Sequence, residues 1–252
     1  MKIYYYYLIM SEDKYDLDIF IKNSFEETIE YLNKIGIKIE WPKLRVFEST
    51  EVFRGFGVGE YDGQSNEVHI IKSELVKKIN ERVNDQNKIF IGNLFTIAHS
   101  EILWPVYKND NDIEKLIAKA YTDSIVIHEI GHAVLRSISS NNEWKASVFE
   151  FLVYFYKNEL YKYPEVYEIM EKNMKICERF MQEKYPSPYS LGCCFGNDFV
   201  YIYENILNKD KQSPKLDIKN TIEKLKYFSK DDEIDATRMI NTLTKILILL
   251  YK

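Results

Sequence analysis

From Leu17 to Gly36 the chain reads LDIFIKNSFEETIEYLNKIG, with Leu17, Phe20, Ile21, Phe25, Ile29 and Leu32 at helical spacing and a glycine as the stop. The spacing predicts one amphipathic helix. Three short β-type runs follow, KLRVFES, FGVGEYD and NEVHIIK, the last two joined by the hairpin signal DGQSN. Residues 1–9, MKIYYYYLI, are apolar and aromatic but short, and meet SEDKYD at once. They read as a strand, which makes a small sheet of about four strands. SELVKKINERVN reads as a helix, whereas KIFIGNLFTIAH has no period that assigns it.

From about residue 111 the pattern turns helical almost to the end. NDIEKLIAKAYTDSIVIHEIGHAVLRSI predicts one long helix and NNEWKASVFEFLVYFYKNELY the next, with Asn141-Asn142 as turn and cap between them. Further helices are expected at 164–184, 197–208, 216–228 and 232–250, and YPSPYSLGCCFGN, with two prolines and two glycines, as a loop. The fold class is therefore α+β. Residues 1–110 form a lobe with a helix and a small mixed sheet, and residues 111–252 a mostly helical lobe, together one compact unit.

Composition narrows the function. The 252 residues carry 34 basic and 39 acidic side chains, a net charge of −5, so no general field draws in nucleic acid or an anionic membrane. No apolar run reaches the length of a membrane span, and MINTLTKILILLYK is too short. The three cysteines are an odd count without a spaced framework, which argues against a disulfide-built secreted fold and for a reducing cytoplasm.

Chemistry concentrates in HEIGH. His128 and His132 are four residues apart, so on a helix both imidazoles lie on one face and can aim at one point. Zinc takes such nitrogens at roughly 2.0–2.1 Å and keeps room for a water when three protein groups bind it. Glu129 is then placed as general base toward that water, whose pKa the metal lowers toward about 7. The rival account makes these ordinary core histidines. However, SIVI before and AVL after make the helix apolar on nearly every side, and buried histidines need partners.

HEIGHAVL followed by NEWKA resembles the zincin metallopeptidases, and within them the gluzincin branch, whose third ligand is a glutamate on the next helix. The metzincin continuation is absent, since HEIGHAVLRSI has no further histidine. The run Asn142-Glu143-Trp144-Lys145-Ala146 is similar to the gluzincin Asn-Glu-x-x-Ala setting, and EWKASVFEFL resembles the matching helix of small intracellular peptidases that cleave repressors. Beyond these two helices only the order of sheet, active-site helix and glutamate helix is similar. The resemblance implies a zincin-like fold, bound Zn2+ and a peptide or protein substrate.

The third ligand stays open between two glutamates. Ten residues separate His132 from Glu143, and an antiparallel return at 1.5 Å per residue brings residues 148–150 level with the histidines. Motif favours Glu143 and hairpin geometry favours Glu150. An oxyanion donor is also required: Tyr189 in SPYSLG is the candidate, with His99 as an alternative donor or outer partner. Asp123 is a candidate to orient a ligand imidazole, one of Tyr154 and Tyr156 should pack inward, and His69 should be structural. Cys193 and Cys194 are adjacent, unsuited to clamp one zinc, and expected as free thiols in the loop. The function expected is zinc-dependent hydrolysis of peptide bonds. The alternative is a catalytically silent zincin-like domain that binds metal or a protein partner.

Overall fold

Helix α1 (Leu17–Lys34) starts where the Asp16 carboxylate accepts from the Ile19 N–H at 3.1 Å, satisfying one of the amide donors left over in a first turn. It buries Leu17, Ile21, Ser24, Phe25, Thr28 and Leu32, and ends at Gly36, whose φ of +87° suits a residue without a Cβ. The computed structural model describes residues 16–49, 57–84, 113–135, 143–181, 187–207 and 218–227.

Three strands follow α1: β1 (Lys43–Phe47), β2 (Gly59–Asp62) and β3 (Glu67–Ile71). Central β3 pairs parallel with β1, Leu44 facing Val68, and antiparallel with β2, Tyr61 facing Val68, so the order is β1-β3-β2. The sheet is small and mixed, as the strand runs predict, with three strands among the described residues. In the β2–β3 turn, Asp62 accepts from the Gln64 N–H and the Ser65 hydroxyl. Val68, His69, Ile70 and Ile71 are buried in succession, the pattern of a strand covered on both faces. His69 bonds Glu67 at 3.0 Å and meets the Phe47 ring edge-on, a structural setting. Residues 1–9, the segment 88–99 with His99, and the expected helix 232–250 lie outside the described residues.

The rest is helical: α2 (Lys72–Asn84), α3 (Ile113–Leu135), α4 (Glu143–Lys157), a short 3-10 turn (Leu160–Lys162), α5 (Pro164–Met181), α6 (Pro188–Tyr201) with a π-helical extension (Ile202–Leu207), and α7 (Ile218–Tyr227). The molecule is thus mixed α+β and mostly helical. No described helix is long and apolar enough to cross a membrane.

Helices α3 and α4 are antiparallel neighbours, as the pairs Gly131–Phe149, Ser124–Glu150 and Asp123–Lys157 show. Helix α4 is buried from Trp144 to Tyr156, so both Tyr154 and Tyr156 face inward rather than one, and the Tyr156 hydroxyl donates to Glu204 at 2.5 Å. Asp123 also departs from the outer-partner reading. It accepts from Ser24 at 2.6 Å and from Lys157 and Asn158, tying α3 to α1 and α4 instead of reaching a histidine.

The stretch YPSPYSLGCCFGN corrects the expectation of a loop. Ser187 accepts from the Leu191 N–H at 2.9 Å, and Pro188 opens α6 at a position where its missing N–H costs nothing. Gly192 and Gly196, one turn apart, face α4. A Cβ on Gly192 would stand 2.3 Å from the Trp144 carbonyl oxygen, and one on Gly196 2.5 Å from the Phe151 Cβ. The glycines that read as loop punctuation are instead the seat that lets two helices approach. Cys193 and Cys194 remain free thiols, but they are buried on this helix.

Candidate metal centre

Helix α3 supplies the first part of the site. His128 and His132 project one turn apart toward α4, 5% and 7% exposed, with their rings edge to face at 4.9 Å between centroids. Gly131 between them leaves space for α4: a Cβ there would come within 2.7 Å of Phe149 Cδ1, so this glycine serves helix packing.

Glu143 stands at the first residue of α4, where its charge is favourable against the amino end of the helix. Its Oε2 lies 3.0 Å from His128 Nε2 and 3.2 Å from His132 Nε2, and the two nitrogens are 3.2 Å apart. Three donor atoms therefore converge on one point. Around an ion at roughly 2.1 Å, tetrahedral ligand atoms stand roughly 3.4 Å from one another, so the spacing fits a small cation. Two imidazole nitrogens with one carboxylate oxygen also form a donor set that borderline-soft divalent ions accept. His128, His132 and Glu143 can hold a metal ion.

Glu150 takes a different place. Its Oε2 meets His128 Nδ1 at 3.0 Å, on the edge of the ring opposite the converging nitrogens, and its Oε1 accepts from the Ser124 hydroxyl. The Nδ1 contact fixes the ring and leaves Nε2 as the outward donor, the arrangement in which an outer carboxylate orients a metal-binding histidine. The two glutamates thus use opposite nitrogens of one imidazole. Ser124 is a residue beside the converging donors that the sequence reading did not name. Its signal was present, since it sits one turn before His128, as Glu150 sits two turns after Glu143.

The electrostatics follow from burial and these contacts. Burial opposes charge on His128, yet its hydrogen bonds to Glu143 and Glu150 prevail and raise it to about 10. Glu143 is pulled well below the ordinary carboxylate range, its two histidine bonds overcoming burial. Burial pushes Glu150 up to about 7, against the pull of His128 and Ser124. Burial likewise raises Glu129, with His128 and His132 pulling the other way.

Glu129 lies beside the converging nitrogens, under the sheet. A Cβ at Gly59 of β2 would meet Glu129 Cγ and Oε1 at 2.9 Å, so only glycine lets the strand lie this close over the carboxylate. Tyr189, in the first turn of α6, is half exposed, and its ring stands 5.7 Å from that of His128. Burial, and then the neighbouring carboxylates Glu143 and Glu129, raise its pKa, so it stays a phenol that can donate. Both residues open onto a cleft of about 350 Å³ between β2, α2, α3, α4 and α6, whose wall also includes Tyr121, Ser124, Ile125, His128 and Glu150.

The chain was compared with family models, with curated proteins and with solved structures, and no match was found in any of the three. What it does must be read from the site itself.

Proposed function

We propose that this chain is a zinc-dependent peptidase with a zincin-like arrangement, in which His128, His132 and Glu143 bind the metal and Glu129 is the general base. The observation that carries the reading is the convergence of His128 Nε2, His132 Nε2 and Glu143 Oε2 within 3.0–3.2 Å of one another, with a buried carboxylate beside them at a cleft. Zinc held there would supply a Lewis acid that polarises the scissile carbonyl and acidifies a water.

The chain's own groups supply the rest. Glu129 takes a proton from the attacking water at its carboxylate and returns it to the leaving amine, and its raised pKa brings it nearer the pH of work, where such a base is most effective. Tyr189, a neutral phenol at the cleft, donates to the oxygen that gains charge in the transition state. Glu150 and Ser124 hold the His128 ring in place through Nδ1. Gly59 lets β2, at the edge of the sheet among the described residues, lie against Glu129, which brings backbone hydrogen-bonding groups next to the base, where an extended peptide can pair with them. A catalytically silent metal-binding domain would need the three ligands but would have no use for a buried Glu129 opening onto a cleft.

The test is hydrolysis of a quenched-fluorescent peptide library by the zinc-loaded protein, with Glu129→Gln as control. Turnover that a chelator abolishes, zinc restores and Glu129→Gln lacks supports the reading. A zinc-loaded, folded protein that cleaves nothing in the library leaves the silent domain as the account.

A further inference from the structure

The cleft beside the histidines has a charge arrangement that hydrolysis alone does not require. Its carboxylates are committed: Glu150 uses one oxygen on His128 and the other on Ser124, and Glu129 is the base.

Lys78, on α2, is the one lysine or arginine among the described residues of the wall. Its partner is Glu81, at 2.8 Å and three residues along the same helix, with side chains 36% and 46% exposed, and Glu81 is not part of the wall. An exposed pair of this kind is weak and exchanges partners readily. A carboxylate entering the cleft can therefore replace Glu81 on Lys78, whereas beside Glu129 or Glu150 it meets like charge; in the zinc-loaded protein the metal is the other cationic position, and in a productive complex the scissile carbonyl occupies it. At about 350 Å³ the cleft lies near the lower end of ligand-enclosing pockets, roughly 300–1,000 Å³, so it takes one or two residues of a peptide rather than a long segment.

We propose that Lys78 anchors a substrate carboxylate in this cleft, so that the preferred peptide carries a carboxylate within one or two residues of the bond cleaved. That carboxylate is either the end of the peptide chain or an Asp or Glu side chain. The inference rests on the peptidase reading, and its test separates the two.

Four matched peptides decide it: one with a free C-terminus and its amide, and one with Glu next to the cleaved bond and its Gln counterpart. Each is given to the zinc-loaded full chain as wild type, Lys78→Met, Lys78→Glu and Glu81→Gln, and binding to the Glu129→Gln protein, with and without Lys78→Met, is measured by calorimetry. The wild type should favour one carboxylate peptide by about tenfold in kcat/KM, through KM with kcat unchanged, as expected for a lost charge-assisted contact that serves binding alone. Lys78→Met erases the preference, Lys78→Glu turns it toward the neutral peptide, and Glu81→Gln keeps or increases it. Which pair shows the effect identifies the source of the carboxylate. Equal rates for carboxylate and neutral peptides in the wild type, or a preference that survives Lys78→Met, overturn the proposal. Binding that depends on the carboxylate and on Lys78, without turnover by the wild type, keeps the anchor and removes the peptidase reading. Turnover indifferent to both does the reverse, and neither binding nor turnover overturns both.

Discussion

Replacing Glu150 by Gln separates orienting a ligand from being one. The His128 Nδ1 to Glu150 Oε2 contact is 3.0 Å long, with side chains 7% and 4% exposed, so water does not take over when it weakens. Glutamine keeps the shape and still accepts from Nδ1–H through its amide oxygen, while its NH2 group can face Ser124. What is lost is the carboxylate charge. Outer-shell partners of metal-binding histidines contribute about 10- to 100-fold in metal affinity, which is about 1.4–2.8 kcal/mol. That range agrees with the roughly 1.5–3 kcal/mol of a hydrogen bond to a charged group. Competition of zinc between the protein and a chromophoric chelator measures the change. Glu150→Gln should still bind one equivalent, 10- to 100-fold more weakly, whereas Glu143→Ala, which removes a donor from the converging set, should bind far more weakly still. The reasoning fails if Glu150→Gln leaves affinity unchanged, or if Glu143→Ala keeps its zinc while Glu150→Gln loses it.

Three further outcomes are expected. Tyr189→Phe should lower kcat by about 10²-fold with little change in KM, because an oxyanion donor acts in the transition state; an equal kcat in steady-state assays would remove Tyr189 from the chemistry. Gly192→Ala places a methyl 2.3 Å from the Trp144 carbonyl oxygen and should destabilise by about 2–3 kcal/mol in urea titration, and wild-type stability would refute the close α4–α6 seat. In the chelator-stripped protein His128 titrates near 10, above its ordinary 6.5. Its contribution to stability is thus complete below about 6.5 and lost as pH rises through about 10. Zinc must displace that proton, so apparent zinc affinity should rise about tenfold per pH unit between pH 7 and 9, with proton release seen as a buffer-dependent enthalpy in calorimetry. A pH-independent affinity would contradict the assignment.

How much of this was legible beforehand depended on whether a signal was periodic or steric. Helix α1 follows from hydrophobic spacing because burial of one face decides it, the β2–β3 hairpin from its DGQSN turn between two β-type runs, and the long α3 from a helical run that no turn signal interrupts. His128, Glu129 and His132 were legible for a related reason, since a four-residue spacing on a helix fixes a shared face. Helix α6 was not. Gly192 and Gly196 carry the composition of a loop, and only the approach of α4 reveals that a side chain there would collide with Trp144 and Phe151. The choice between Glu143 and Glu150 was opaque because it assumed one target. Helical rise correctly set Glu150 level with His128, but no spacing argument tells Nδ1 from Nε2. Lys78 and Gly59 join the cleft by tertiary packing alone, without any local pattern.

The most direct test of the central claim is metal content by elemental analysis of the purified wild type, beside His132→Ala and Glu129→Gln variants of equal folded fraction. The account predicts one zinc per chain in the wild type and in Glu129→Gln, and a large loss in His132→Ala. A folded wild type that neither contains zinc nor takes it up on dialysis would contradict it and leave the two histidines as buried partners of Glu143 and Glu150.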